Sequence, residues 1–597
     1  MWWKYIFAAD FNVDEMRRIF VAILLLIISQ GLLWGQETEN MKAIACLLGV
    51  EAEELDLDEY ERLSDILRRP LQLNTASQAE LVSGGFLSRF QIASLMDYRQ
   101  RCGAVMSYME LSVVDGFDAD LVARIRPFIS LERTGSGHGG RLANEVLSRI
   151  SMRVSDDLCR WGCAVRYRVR QGETFSASVA VSRSLGSSIT GPDAFCGSVR
   201  WKLKKVPVKI VAGDFNARFA QGLNMWSGMY ISDYKSPTSF MRRPTGFSAS
   251  SSMTGIGTYT GVASEVLVGR FTFSTMAAAT GLREIRKRPD KIRLVPAVNI
   301  GYNGKTAQLG LTQSLELAGI VGTSEVHIPA MRTSLDFSAC FRGVDVFSEL
   351  LVDWSSRTEA MIAGMVFPIG EHVDMASMVR LSAAEYALSL SSSLNVGDWV
   401  RMLGDDTSRR KLVGTMSADV VLYSVPKVDT QDRSLQLRLH SQWHYALSES
   451  LLLTFRVSER MRSWGDRFKT DVRADLSWNI GRWSAIIRAN LLKCRETAFL
   501  SYVEGNMNTG RVRLHLRQGV FVVDDWEDRI YAYERDAPGC FNVPAFYGRG
   551  VWTSVTASFA VSKCVALYIR GCYTSYVFME EKKPGKAELR FQCMCNF

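Results

Sequence analysis

The chain has 597 residues, 47% of them apolar and 22% charged, a balance that excludes a disordered or collagen-like protein and allows several domains or one very large closed sheet. Only Ile19 to Trp34 is continuously apolar, which excludes a polytopic helical membrane protein. The net charge of +9 is uneven: residues 1–50 carry −1, residues 51–133 carry −6 and residues 134–597 carry +16, so the long C-terminal part is the candidate binder of anions such as lipid phosphate or polyanionic glycan.

Met16-Arg17-Arg18, the apolar run Ile19 to Ile28 and the small-residue site Gly31 to Gly35 have the order of a secretory signal peptide. Residues 1–15 fit that pattern poorly because Asp10, Asp14 and Glu15 stand where positive charge is expected, so the start is placed at Met16 and cleavage after Gly35. An uncleaved anchor helix is the alternative. Export permits disulfides among the twelve cysteines, but no CxxC pair or zinc-ligand spacing occurs, and no pairing follows from the sequence.

Residues 36–69 form an acidic segment with Tyr60, Leu63, Ile66 and Leu67 at helical spacing. Residues 70–133 predict a compact helical unit. It opens with Leu73-Asn74-Thr75-Ala76-Ser77, and Ser77 with Glu80 has capping-box spacing. A Gly/Ser linker follows at 134–142.

Residues 143–597 predict strands. Leu435, Leu437, Leu439, Trp443 and Tyr445 alternate with Gln436, Arg438, His440, Gln442 and His444; Val512, Leu514 and Leu516 alternate with Arg511, Arg513, His515 and Arg517. Each strand therefore has one apolar and one strongly polar face. A soluble sandwich turns its apolar faces inward. A membrane barrel turns them to lipid and keeps a wet lumen. Three features favour the barrel: roughly 18–26 strands, within the range of such barrels; eleven of the fourteen Trp between Trp161 and Trp552, as interfacial girdles require; and a final strand, Lys586 to Phe597, with Leu589, Phe591 and Phe597 on one side. That last strand resembles the C-terminal targeting strand of outer-membrane proteins, which implies recognition by barrel-assembly machinery. The expected fold class is mainly β, a large antiparallel transmembrane β-barrel preceded by a small all-α domain.

Within 70–133, Phe86 to Ala93, Leu95 to Arg99 and Gly103 are followed by a second cycle from Ser107 through Asp118 to Ile129. The pattern resembles the paired helix-hairpin-helix module of competence-type, ComEA-like DNA-uptake proteins. The resemblance implies two hairpin turns whose glycines let the backbone approach a DNA phosphate. Here the first turn aligns as Phe86-Leu87-Ser88, with Gly84-Gly85 as the substitute if the alignment slips, and the second as Gly116-Phe117-Asp118. Lost glycines, a carboxylate in the second turn, and five Arg against seven Asp/Glu over 70–132 disfavour nucleic acid and favour a structural or protein-binding role. The whole arrangement also resembles a bacterial outer-membrane family in which such a module precedes a large barrel, through Gly213-Asp214-Phe215 and Phe219 to Gly228; that family has Gly where Ala220 stands.

No phosphate loop, HExxH or GxSxG motif occurs, so neither an enzyme nor a cofactor is expected. His440 and His444 on a strand lie roughly 13 Å apart at about 3.3 Å per residue, too far for one metal ion. Adjacent Asp156-Asp157 and Asp524-Asp525 point oppositely in a strand and make no catalytic dyad, and Cys593 and Cys595 share a face as small apolar filler. What remains is a basic lumen face: Arg438, Arg473, Arg488, Arg511, Arg513 and Arg517, either paired with lumenal carboxylates or attracting anions. The expected function is non-enzymatic, in envelope transport or assembly, with the 36–133 part in the periplasm or in the lumen. The expected partners are outer-membrane lipid and other envelope proteins. The alternative is a DNA-uptake component with the barrel as pore.

Overall fold

Apolar–polar alternation repeated over many strands has a physical outlet in a closed cylinder, because backbone groups in hydrocarbon must be paired within the protein. In the computed structural model the strands from Leu142–Ser155 to Lys586–Asn596 form one closed antiparallel barrel of 24 strands. The structure describes residues 37–49, 57–131 and 142–597, apart from 156–157, 173, 187–191, 193, 204–205, 228–235, 254–257, 281–292, 320–325, 370–372, 383–386, 397–411, 424–433, 464, 466–467, 541, 563 and 579–583. The expected signal peptide, nearly all of the linker and the Asp156-Asp157 pair lie outside the described residues. No described helix is long and apolar enough to cross a membrane.

The alternation sorts as the period of two demands. Leu435 is 44% exposed on the outside, while its neighbour Gln436 is 1% exposed within. Ile150, Val199, Leu335, Leu390 and Val503 belong to the same apolar exterior. A closed barrel with an oily outside and a polar inside is an outer-membrane design, and the protein is placed there. The strand number is even, so the first strand begins and the last one ends at the same rim. Tight turns such as 269–270, 342–343 and 481–482 cluster there, which marks it as the periplasmic rim. The two long connections 219–258 and 524–547 belong to the opposite rim.

The barrel closes between its extremes. Leu589 faces Met152 and Phe591 faces Ile150, and Asn144 and Phe597 exchange both backbone hydrogen bonds at 2.8 and 2.9 Å. Trp201, Trp478 and Trp483 stand exposed near the periplasmic rim and Trp161 and Trp354 near the other. The girdle expectation needs two corrections: Trp552 is fully buried inside, packed against Phe546 and Phe521, because its strand position faces the lumen, and Trp226 lies under Arg218 and Arg242 where the chain has turned inward.

Among the described residues six α-helices precede the barrel: α1 (Glu37–Leu48), α2 (Leu57–Arg68), α3 (Gln78–Gly84), α4 (Arg89–Arg101), α5 (Tyr108–Leu111) and α6 (Ala119–Ile125). Ser77 and Glu80 cap α3 reciprocally, and Ser88 with Gln91 does the same for α4. The segment division drawn at residue 70 is not a packing boundary: Ile44 of α1 and Tyr60 and Leu63 of α2 share one core with Phe86, Leu95, Phe117 and Phe128. Asn74 holds this core shut. Its Nδ2 donates to the carbonyls of Val105 and Leu131, each at 2.9 Å, and its Oδ1 accepts from Val105 N at 2.8 Å.

Candidate functional site

The inner wall carries the polar half of every strand, and its charges are arranged in pairs. Arg473 donates to Asp475 at 2.9 Å, and Arg488 grips the same carboxylate from the next strand at 2.7 and 2.9 Å. Arg517 donates to Glu504 and, at 2.7 Å, to the carbonyl of Tyr533. Arg438 lies on the inner wall between Asp419 and Arg460 in register, and Arg513 is half-buried on the same side as Arg517. Arg511 departs from the expectation: the strand starts at Val512, so Arg511 falls in the turn below it and is exposed at the rim. His440 and His444 bond to Ser458 and Thr454, and no metal-binding cluster occurs among the described residues.

The helical unit lies against this wall. Asp65 of α2 meets Arg168 at 2.7 Å and Arg170 at 2.8 Å. Glu61, one turn earlier, meets Arg166 at 3.3 Å, and Arg166 also reaches Glu145 at 3.4 Å. Around the same rim Lys202 faces Glu80 at 3.4 Å and Lys305 faces Asp97 at 2.9 Å. Acidic helices meeting a basic wall is the charge asymmetry of the sequence given a place. Burial alone would raise the Asp65 carboxyl; the guanidiniums of Arg168, Arg170, Arg68 and Arg166 outweigh it and hold the group well below the usual carboxylate range. Breaking one partner of such a buried pair costs several kcal/mol, because it strands the other charge.

The hairpin-turn residues divide between two environments. Phe86 and Leu87 are buried in the helical core and Ser88 is occupied as a cap. The carbonyl of Phe86 accepts from Arg243 at 2.7 Å, and that of Gly84 accepts from Arg62. Gly85 takes the left-handed conformation (φ 66°) that closes α3, with Arg62 and Thr245 close against it. This turn therefore faces protein. The second turn lies outward: Gly116 (φ 82°) and Asp118 are exposed, Phe117 is buried, and Asp118 caps α6 by accepting from Leu121 N at 2.6 Å.

Two long connections of the outer rim fold into the interior. The first carries Phe219 to Ser227 of the signature. Gln221 N and Leu223 N donate to Glu349 at 2.9 and 3.0 Å; Asn224 bonds Thr312 and Ser314; Phe240 packs on Phe347, Ile362, Ala376 and Met378. Its far end returns across the opposite side, where the Ser250 carbonyl accepts from Ser198 at 2.6 Å. This inner strap thus crosses from one side of the lumen to the other. The second connection places Glu534 and Asp536 beside Arg570 and Arg590, with Arg535 on Glu504 at 2.6 Å and Tyr533 against the helical core. Sequence reasoning missed both. The available signal was Asp214, Asn216 and Arg218 at positions where the alternation demands apolar side chains.

Ala220, where the resembling family has Gly, sits at φ 51°. The chain holds the glycine conformation with an alanine, in the strap's first turn.

No protein-family model matches the chain, and no curated protein matches it. Among solved structures, the siderophore receptor PirA from Pseudomonas aeruginosa is similar at 9% identity over 77% of this chain and 81% of that one, with a TM-score of 0.40. The copper transporter OprC gives 8% identity over 77% and 81%, TM-score 0.34, and the outer membrane protein OpdK from Pseudomonas aeruginosa 7% over 76% and 99%, TM-score 0.28.

Proposed function

We propose that the protein is a gated, non-enzymatic transport barrel of the outer membrane, with its helical unit as a plug held in the periplasmic end. The carrying observation is the set of ion pairs from Asp65 and Glu61 to Arg166, Arg168 and Arg170. Such contacts tie the plug to the wall by charges that a partner can displace, whereas a purely apolar interface would lock it. The exposed Met106, Met109 and Val113, 80%, 82% and 79% accessible on the helical unit, give an envelope protein a surface from which to pull. Opening requires the plug to move and the strap to shift with it, since Arg243 of the strap holds the Phe86 carbonyl.

Conductance tests this reading. Full-length protein in planar bilayers is expected to be nearly silent, and a version lacking 37–131 is expected to conduct in large steady steps. Equal conductance from both would dismiss the plug. The DNA-uptake alternative has less support, because the first turn is turned toward protein and the exposed second turn carries Asp118. Salt-sensitive retention of DNA by the full chain would revive it.

A further inference from the structure

The barrel wall changes its construction at one seam. The strand Val208–Arg218 pairs with Ala194–Lys202 only from Lys202↔Lys209 to Ser198↔Gly213. Beyond Gly213 it turns inward: all residues from Asp214 to Gln221 are buried, and the strand pairs with Gly246–Ala249 of the strap instead. The side chains state the reason. Val208, Ile210 and Ala212 take the outward positions, and the next residues of that parity are Asp214, Asn216 and Arg218. Charges facing hydrocarbon are strongly unfavourable, so the strand leaves the wall there. Gly213 is the pivot: its φ is 90°, and a Cβ on it would stand 2.1 Å from the Gly197 carbonyl oxygen.

Above the pivot one carboxylate spans the seam. Asp214 Oδ2 accepts from Gly197 N at 2.8 Å across the gap, and Asp214 Oδ1 accepts at 2.5 Å from the hydroxyl of Thr260, its ladder partner on the other side. Outside, Phe195 (61% exposed), Val199 and Val262 face the hydrocarbon. Inside, where barrels are normally polar, the wall is apolar: Ala263, Met276, Ala278, Val295 and Ala297 pack beneath Phe215, Phe219 and Phe247. Oil therefore lies on both sides of a seam bridged by a side chain.

We propose that this seam is a lateral port through which a lipid acyl chain passes between the surrounding membrane and the apolar layer under the strap. The proposal rests on the transport reading and gives it a class of cargo. An acyl chain fits because both ends of the route are apolar; between them stand the Asp214 carboxylate and the Ser250 carbonyl, which accepts from Ser198 at 2.6 Å and Ser178 at 3.3 Å, and these polar contacts are the local barrier. Breaking the Asp214–Gly197 bond opens the wall beyond the last rung Ser198↔Gly213, while the ladder from Val208↔Val266 to Phe215↔Tyr259 stays paired.

The test is photolabelling of the full-length protein in lipid nanodiscs containing a phospholipid with a diazirine at its chain terminus, with the labelled peptides mapped by mass spectrometry. Label is expected on Phe195 and Val262 from outside, and also on the interior residues Phe215, Phe247 and Met276. Asp214→Ala should raise interior labelling severalfold. Thr260→Val, which keeps the bond to Gly197, should raise it less and serves if Asp214→Ala does not assemble. A parallel arm uses a diazirine fatty acid: labelling by the phospholipid assigns the chain to leaflet lipid, labelling by the fatty acid alone assigns it to a free acid, and either upholds the port. Label confined to outward-facing residues in both arms and in both variants overturns it. If plug-dependent conductance persists in that case, the transport reading stands without the port.

Discussion

Replacing Asp65 by Asn removes the charge that joins α2 to the wall while keeping the side chain's size. Arg168, 6% exposed, loses a partner at 2.7 Å and keeps only Glu145 at 3.8 Å and the Ser251 hydroxyl at 2.5 Å. Arg170 is 28% exposed and re-solvates at little cost. The loss is therefore set by Arg168 and falls at the low end of the range for a broken buried pair, about 3 kcal/mol. At about 1.4 kcal/mol per decade, that shifts the docked-to-undocked ratio of the plug on the order of 100-fold. Amide hydrogen exchange of α2 in the membrane-embedded protein is the assay, because undocking exposes that helix before the barrel unfolds. The α2 amides should exchange faster by that factor while barrel strands keep their protection, and openings in planar bilayers should become frequent. Arg170→Gln should change exchange less than tenfold. Wild-type exchange in Asp65→Asn would refute the ionic basis of docking.

Other outcomes follow from the same geometry. The Asp65 carboxyl is held below its unfolded value, so its contribution is complete above the ordinary carboxylate range near pH ~4 and fades as the pH falls further; α2 exchange corrected for intrinsic rates should be flat from neutral to mildly acid pH and rise only below it. Asn74→Ala deletes three hydrogen bonds within the helical core and should cost about 2–3 kcal/mol locally, seen as faster exchange around Val105 and Leu131 with the barrel unchanged. Ala220→Gly relieves a left-handed alanine and should raise the temperature at which the folded band is lost in semi-native electrophoresis, by an amount corresponding to roughly 1 kcal/mol. A lower temperature would show that the Ala220 side chain, itself buried, contributes more by packing than its backbone loses.

Much of the fold was legible because a strand's period of two is a local signal. The faces assigned around Leu435 and Leu514 are the exterior and lumenal faces of the barrel, and Ser77 caps its helix where the spacing put it. The interior was not legible, for a different reason at each place. Arg488 and Arg517 could be placed inside, but their partners Asp475 and Glu504 are set by cross-strand register, which no single strand encodes; only the Arg473–Asp475 pair lies within one strand. The inward course of 219–227 and 236–253 depends on contacts with Glu349 and Phe347, more than a hundred residues away. Phe86 to Ser88 aligned with a hairpin turn that had lost its glycines, but the groups it meets, Arg243 and the helical core, lie elsewhere in the chain and no local pattern names them.

The mutual bonding of Asn144 and Phe597 ties the opening strand to the closing one. The other barrel ladders join strands that are neighbours in sequence or nearly so, and this ladder waits for the last strand of the barrel. Until it forms, the sheet has two adhesive borders, one carrying Ile150 and the other Phe591, each able to pair with a foreign strand. Joining ends so remote is slow, so both borders stay open to foreign strands until the cylinder is sealed.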